Sequence, residues 1–216
     1  MPANTIIISI DDGPTIEASG RILDVLEKHQ VTATFFWQGQ FVRIPSRRGV
    51  VERAYRDGHV IANHTMNHEL DFKTDRDLTR SLMQTHELLV PYSGNANIQL
   101  FRAPGGVWNS WRADVGNSHP VLRDYVGPIF WNAGGGDEAD WLCWRNNISS
   151  KACADGYLRA IRRNFSNGTG SLVLLHDLNT KSAELLDLVL EGLMNDHIDW
   201  EFKLVEDIPA VKELAR

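Results

Sequence analysis

Ile6-Ile7-Ile8-Ser9-Ile10-Asp11-Asp12-Gly13-Pro14 is the stretch on which the reading of this chain turns. Its apolar, β-branched run reads as a buried strand, and the Gly-Pro pair after the two aspartates ends it. Neighbouring side chains on an extended backbone point in opposite directions. One aspartate is therefore expected to face a metal and the other the reacting atom. Adjacent carboxylates repel, so both stay ionised near neutral pH only where cations hold them. The plainer alternative is a solvated turn leading into a helix, since Asp and Gly are common turn residues. The exit of so apolar a strand is an unusual place for one.

Working outward, short apolar runs alternate with amphipathic stretches. Helices are expected at about 18–28, 50–56, 75–90, 155–164 and 182–194, the last with a Ser N-cap candidate at its start. Strands are expected at 33–37, 59–62, 99–102, 128–131, 171–175 and 201–205. The segment 111–125 reads as helix or irregular chain. This alternation implies an α/β fold with a mostly parallel sheet, either a barrel or doubly wound. Asp11 and Asp12, His64, Arg102 and His176 lie at the ends of four different apolar strands. Barrel enzymes place their catalytic groups there, which favours a distorted (β/α) barrel of seven or eight strands.

The 216 residues suffice for one domain with a large core. A net charge of −6 with no basic block argues against nucleic-acid binding. No apolar run reaches the ~20 residues of a membrane-spanning helix, and Ile6–Ile10 runs straight into Asp11, unlike a signal peptide. Cys143 and Cys153 are the only cysteines, either free buried thiols or a disulfide closing the loop between them. A bridge, together with removal of a leader, would mean a secreted or periplasmic protein; otherwise the cytoplasm is expected. The sequence leaves oligomeric state open.

His64-Thr65-Met66-Asn67-His68 places two imidazoles at i and i+4, on one face if the segment is a helical turn. With a carboxylate from the first strand they make a two-His, one-Asp set. That set suits Zn²⁺, with Fe²⁺, Co²⁺ or Mn²⁺ as alternatives. A divalent ion with an open position brings the pKa of its water from ~16 to ~7. A neighbouring carboxylate can then act as general base and His176 as the acid for the leaving group. Capping or surface histidines are the plainer alternative.

Five motifs, spread over nearly the whole chain, resemble the polysaccharide deacetylases of carbohydrate esterase family four. They are Ser9–Pro14, Gly58–His68, Arg102–Gly106, Asp137–Trp141 and Leu174–Asp177, in the family's order. The resemblance implies one deacetylase domain over residues 1–216, removing acetyl groups from N- or O-acetylated saccharides of chitin-oligomer, peptidoglycan or xylan type. It implies Asp11 as general base, Asp12, His64 and His68 as metal ligands, and His176 as general acid. Arg102 would pair with Asp11 and Asp140 would orient His176. Trp141 and Leu174 would wall the acetyl pocket. Gly105 stands where the family carries an aromatic residue; its N–H can still serve an oxyanion, but the side chain shaping the cleft floor is gone.

Trp108, in the loop after the third motif, is the candidate substrate contact, whereas Trp37 and Trp131 read as structural. His29, His86, His119 and His197 read as surface residues and His59 as structural. A non-catalytic saccharide-binding module, or a hydrolase of a non-sugar amide, are the alternative functions.

Overall fold

The computed structural model describes residues 1–95 and 98–214. β1 (Thr5–Asp11) leads to α1 (Glu17–His29), β2 (Ala33–Trp37), the short α2 (Gly39–Val42), α3 (Arg48–Arg56) and β3 (Val60–Asn63). Next come α4 (Asp75–Leu89), β4 (Gln99–Leu100), α5 (Ser110–Ser118) and β5 (Tyr125–Val126). α6 (Asp140–Arg145), α7 (Ser150–Ser166), β6 (Ser171–His176), α8 (Lys181–Met194), β7 (Glu201–Phe202) and α9 (Pro209–Leu214) complete the order. None of the helices in the described residues is long and apolar enough to cross a membrane.

β1 is the central strand, and every one of its residues is buried. It pairs in parallel with β2 on one side and β6 on the other, with Asp11 level with Phe36 and His176. β2 pairs in parallel with β3, and β7 with the first residues of β1. β4 and β5 form a separate parallel pair. Single bridges join Asn63 to Phe101 and Ala133 to Val173. Ile129 N–H donates to the Phe101 carbonyl and Asn132 N–H to that of Leu172. The chain from β5 to Ala133 therefore links the β4–β5 edge to the β6 edge by isolated hydrogen bonds. The result is a mostly parallel α/β fold whose regular ladders form an open sheet.

Strand alternation sorts the side chains. Ile6, Ile8, Ile10, Val173 and Leu175 pack outward on Ile22 and Leu26 of α1, Ile161 of α7 and Leu186 of α8. Ile7, Phe36, Val60, Ala62, Leu100 and Leu172 pack together on the other face. Each fully buried isoleucine contributes roughly 1.5–3 kcal/mol of apolar burial. Continuing the inner series, Ile7 is followed by Ser9 and Asp11, and Leu172 by Leu174 and His176, so polar chemistry begins where the apolar layer ends.

Several elements differ from expectation. The strand expected at 128–131 is absent, and the regular pairing sits at Tyr125–Val126; Pro128 has no N–H to give a ladder. α7 begins at Ser150 because the Ser149 side chain accepts the Ala152 N–H and caps it. Ser182 does not cap α8; it lies inside that helix, buried. The His29 ring is buried rather than exposed, with its Nε2 2.6 Å from Asp187. Cys143 and Cys153 form a disulfide that joins α6 to α7.

Candidate active site

Asp11 and Asp12 do not diverge as an extended backbone would require. Asp12 has φ +84°, so the chain leaves the strand at that residue and both carboxylates face His64. Its Nε2 lies 3.7 Å from Asp11 and 3.5 Å from Asp12. Behind this bend a Cβ on Gly13 would lie 2.1 Å from the Asp177 carboxylate, so only glycine fits. Asp177 is fully buried and accepts from Ser19 Oγ (2.5 Å) and Trp37 Nε1 (2.9 Å). Burial pushes its pKa up to about 7 despite those hydrogen bonds.

His64 and His68 meet, but not on a helix. Residues 65–67 form a turn, and Thr65 and His68 have φ +64° and +57°. The two rings end 5.2 Å apart, centre to centre. The Nδ1–H of His64 donates to the Arg102 carbonyl (2.8 Å), since a carbonyl can only accept. This fixes the tautomer that leaves Nε2 with a lone pair for a metal. Asp12, His64 and His68 offer ligand atoms all within 4.8 Å of one another. Asp12 Oδ1 is 3.3 Å from His68 Nε2 and 3.5 Å from His64 Nε2. Bonds of ~2 Å in tetrahedral geometry require ligands about 3.3 Å apart, so the donor set fits Zn²⁺. Burial raises the Asp12 pKa, but the His64 hydrogen bond and the His176, His64 and His68 charges outweigh it, bringing it to about 2. Burial lowers that of His68, partly opposed by Asp12. A second group, His29, Asp187 and Glu191, already holds a cation: Lys28 Nζ lies 2.7 Å from Asp187 and 3.0 Å from Glu191.

Arg102 is fully buried. Its Nη1 donates to Asp11 (2.7 Å) and Ser9 Oγ (2.9 Å), and its Nε to the Ile129 carbonyl (2.9 Å). The guanidinium lies over the Phe36 ring at 4.2 Å. On the opposite strand His176 Nδ1 lies 2.7 Å from Asp140 Oδ1. Asp140 is itself fully buried and also accepts from the His176 and Trp141 backbone N–H groups and from Ser182 Oγ. Burial alone would lower the His176 pKa. The hydrogen bond and charge of Asp140, with the charges of Asp11 and Asp12, push it up to about 9.

Leu174 is buried on β6, while Trp141 is 48% exposed beside Asp140. Gly105 has φ +59°, and a Cβ there would lie 3.2 Å from Leu70. An aromatic residue would be strained at this turn, which accounts for the glycine. Trp108 packs against Phe101, ring centres 4.9 Å apart, within a third apolar cluster. Trp37 is fully buried, and His59 accepts the Ala33 N–H. Ser182 has no signal in the sequence as a site residue; its partner Asp140 lies 42 positions away.

A sequence model described as polysaccharide deacetylase matches residues 1–121. The chain belongs to the polysaccharide deacetylase family. It is 34% identical over 197 residues to a chitooligosaccharide deacetylase of Rhizobium leguminosarum bv. trifolii, covering 88% of this chain and 82% of that protein. It is 28% identical over 215 residues to the peptidoglycan-N-acetylmuramic acid deacetylase PdaA of Bacillus subtilis strain 168, covering 97% and 73%. In fold it is similar to a family 4 carbohydrate esterase from Streptomyces lividans, solved with acetate, at TM-score 0.70 and 22% identity, covering 90% of each chain. The five segments quoted from the sequence all lie among the described residues of this deacetylase-family chain, the first three within the matched stretch.

Proposed function

We propose that this chain hydrolyses the acetyl group of N-acetylated saccharides, with O-acetylated saccharides as the second substrate class. Asp12, His64 and His68 would hold one divalent metal, Zn²⁺ first among the candidates. One observation carries the reading: a carboxylate backed by a buried arginine and an imidazole backed by a buried aspartate flank one three-ligand cluster. When bound, the metal supplies Lewis acidity to the acetyl carbonyl and lowers the pKa of the attacking water.

The protein's own groups do the rest. Asp11 takes the proton from the attacking water. The Gly105 N–H donates to the oxygen that gains charge. His176 delivers its Nε2 proton to the sugar nitrogen as the carbon–nitrogen bond breaks, giving acetate and a free amine. Leu174 and Trp141 wall the acetyl methyl, and Trp108 contacts the saccharide. The chitooligosaccharide and peptidoglycan deacetylases among the relatives support an N-acetylated substrate.

The test is acetate release from chitin oligomers, peptidoglycan and acetylated xylan, with and without a chelator. Release from an N-acetylated member that stops on chelation is the expected outcome. Saccharide binding by the metal-loaded chain with no acetate from any substrate would replace the reading with a binding role.

A further inference from the structure

The two candidate histidine ligands are held in different ways. His64 is buried, sits at the end of β3 and has its ring fixed by the Arg102 carbonyl. The His68 side chain is 35% exposed. Among the described residues, the hydrogen-bond-range polar contact of its ring is Asp12 itself, the group with which it would share the metal. Its placement therefore depends on the backbone of residues 65–69, which holds two non-glycine residues at positive φ. Such a β-branched residue as Thr65 persists there only where its surroundings impose it.

Those surroundings come partly from α2, whose Gly39 and Gln40 N–H groups donate to the Thr65 (3.0 Å) and Met66 (2.7 Å) carbonyls, and otherwise from α4, Asn63 and one carboxylate. Ser81 of α4, buried, accepts the Met66 N–H (2.8 Å) and donates to Glu69 Oε2 (2.9 Å). Glu69 in turn accepts from the Asn67 N–H (3.1 Å) and Asn67 Nδ2 (3.0 Å). Its own N–H donates to Thr65 Oγ1 (3.3 Å), while the Thr65 N–H is taken by Asn63 Oδ1 (2.9 Å). With the 65–66 carbonyls held by α2, Ser81 and Glu69 are the side chains that tie residues 66, 67 and 69, on both sides of His68, to α4.

We infer that Ser81 and Glu69 are positioning residues for His68, a latch that sets metal affinity without touching metal or substrate. The inference rests on the metal reading above. Partners behind a ligand typically change metal affinity 10–100-fold when removed. The experiment is a Zn²⁺ titration of the full chain against a chromophoric chelator, with thermal unfolding of each metal-free form alongside. Ser81→Ala and Glu69→Gln are each expected to weaken Zn²⁺ binding about 10–100-fold, and Ser81→Thr, which keeps the hydroxyl, to restore most of it. In a His68→Ala background Ser81→Ala is expected to cost no further affinity, because the ligand it places is gone.

Wild-type affinity in folded Ser81→Ala and Glu69→Gln overturns the latch. So does an equal loss with and without His68, which would mark general loosening. Absence of Zn²⁺ binding by the unsubstituted chain overturns the metal reading itself, a result distinct from either.

Discussion

In the Asp11–Arg102 pair the cation is the member with no exposure, and the carboxylate is the group that faces His64 of the candidate ligand set. In the His176–Asp140 pair the anion is the fully buried member, and the imidazole is the half-buried one. The two pairs stand at one level, because Asp11 and His176 are register partners on adjacent strands. Each buried charge faces an opposite one: Arg102 stands behind Asp11, the proposed proton acceptor, and Asp140 stands behind His176, the proposed proton donor, whose pKa it raises. The proposed base and the proposed acid stand on neighbouring strands, and their supporting charges come from different elements, Arg102 just past β4 and Asp140 at the start of α6.

Substitution of the proposed base is expected to have the largest effect. Asp11→Asn keeps the shape but cannot accept a proton, and turnover is expected to fall about 10²–10⁴-fold. Initial-rate acetate release on metal-loaded protein checks this; an Asn variant of full activity would remove Asp11 from the role.

On the His176 side the effect is read through pH. With its pKa pushed up to about 9, His176 carries its proton through neutrality and loses it as pH rises past that value. Asp140→Asn removes the largest raising influence and leaves the Asp11 and Asp12 charges to oppose burial, so the alkaline limb of the pH–rate profile should move down from about 9 toward ~6.5, the ordinary histidine value. The same sign governs stability: the pair's contribution is full below about 6.5 and lost as pH climbs through about 9. Melting temperature against pH, wild type beside Asp140→Asn, reads it directly; parallel curves would count against the pairing.

Ser182→Ala gives the smallest effect. It removes one of the donors that Asp140 accepts, leaving the two backbone N–H groups and the ring. One bond to a charged acceptor is worth about 1.5–3 kcal/mol, so with the other donors on Asp140 kept kcat should fall by about 10-fold, and by no more than about 100-fold. A loss comparable to Asp11→Asn would mean that Ser182 takes part in the chemistry itself.

Much of this site was legible in the chain. The apolar run into Asp11-Asp12, the His64–His68 spacing and the strand-end positions of Arg102 and His176 follow from local pattern, which periodicity reports. What failed were directions. Extended geometry separates Asp11 from Asp12, and a helical turn joins His64 to His68; the structure does the opposite to the first and reaches the second through a strained turn. Both depend on packing from distant residues, Asp177 behind Gly13 and Ser81 beside Met66.

The sequence by itself determined the alternation of strands and helices, the mostly parallel sheet, and which residue types gather at the strand ends. Those properties are written in apolar period and turn chemistry, which act over a few residues. Tertiary structure alone decided the Cys143–Cys153 bridge, the convergence of the two aspartates, the Ser182–Asp140–His176 chain and the latch on His68. The bridge, the Ser182–Asp140 contact and the Ser81–Glu69 contact join groups 10 or more positions apart, and the aspartates converge on His64 from another strand; such contacts form only once the strands have fixed what lies beside what.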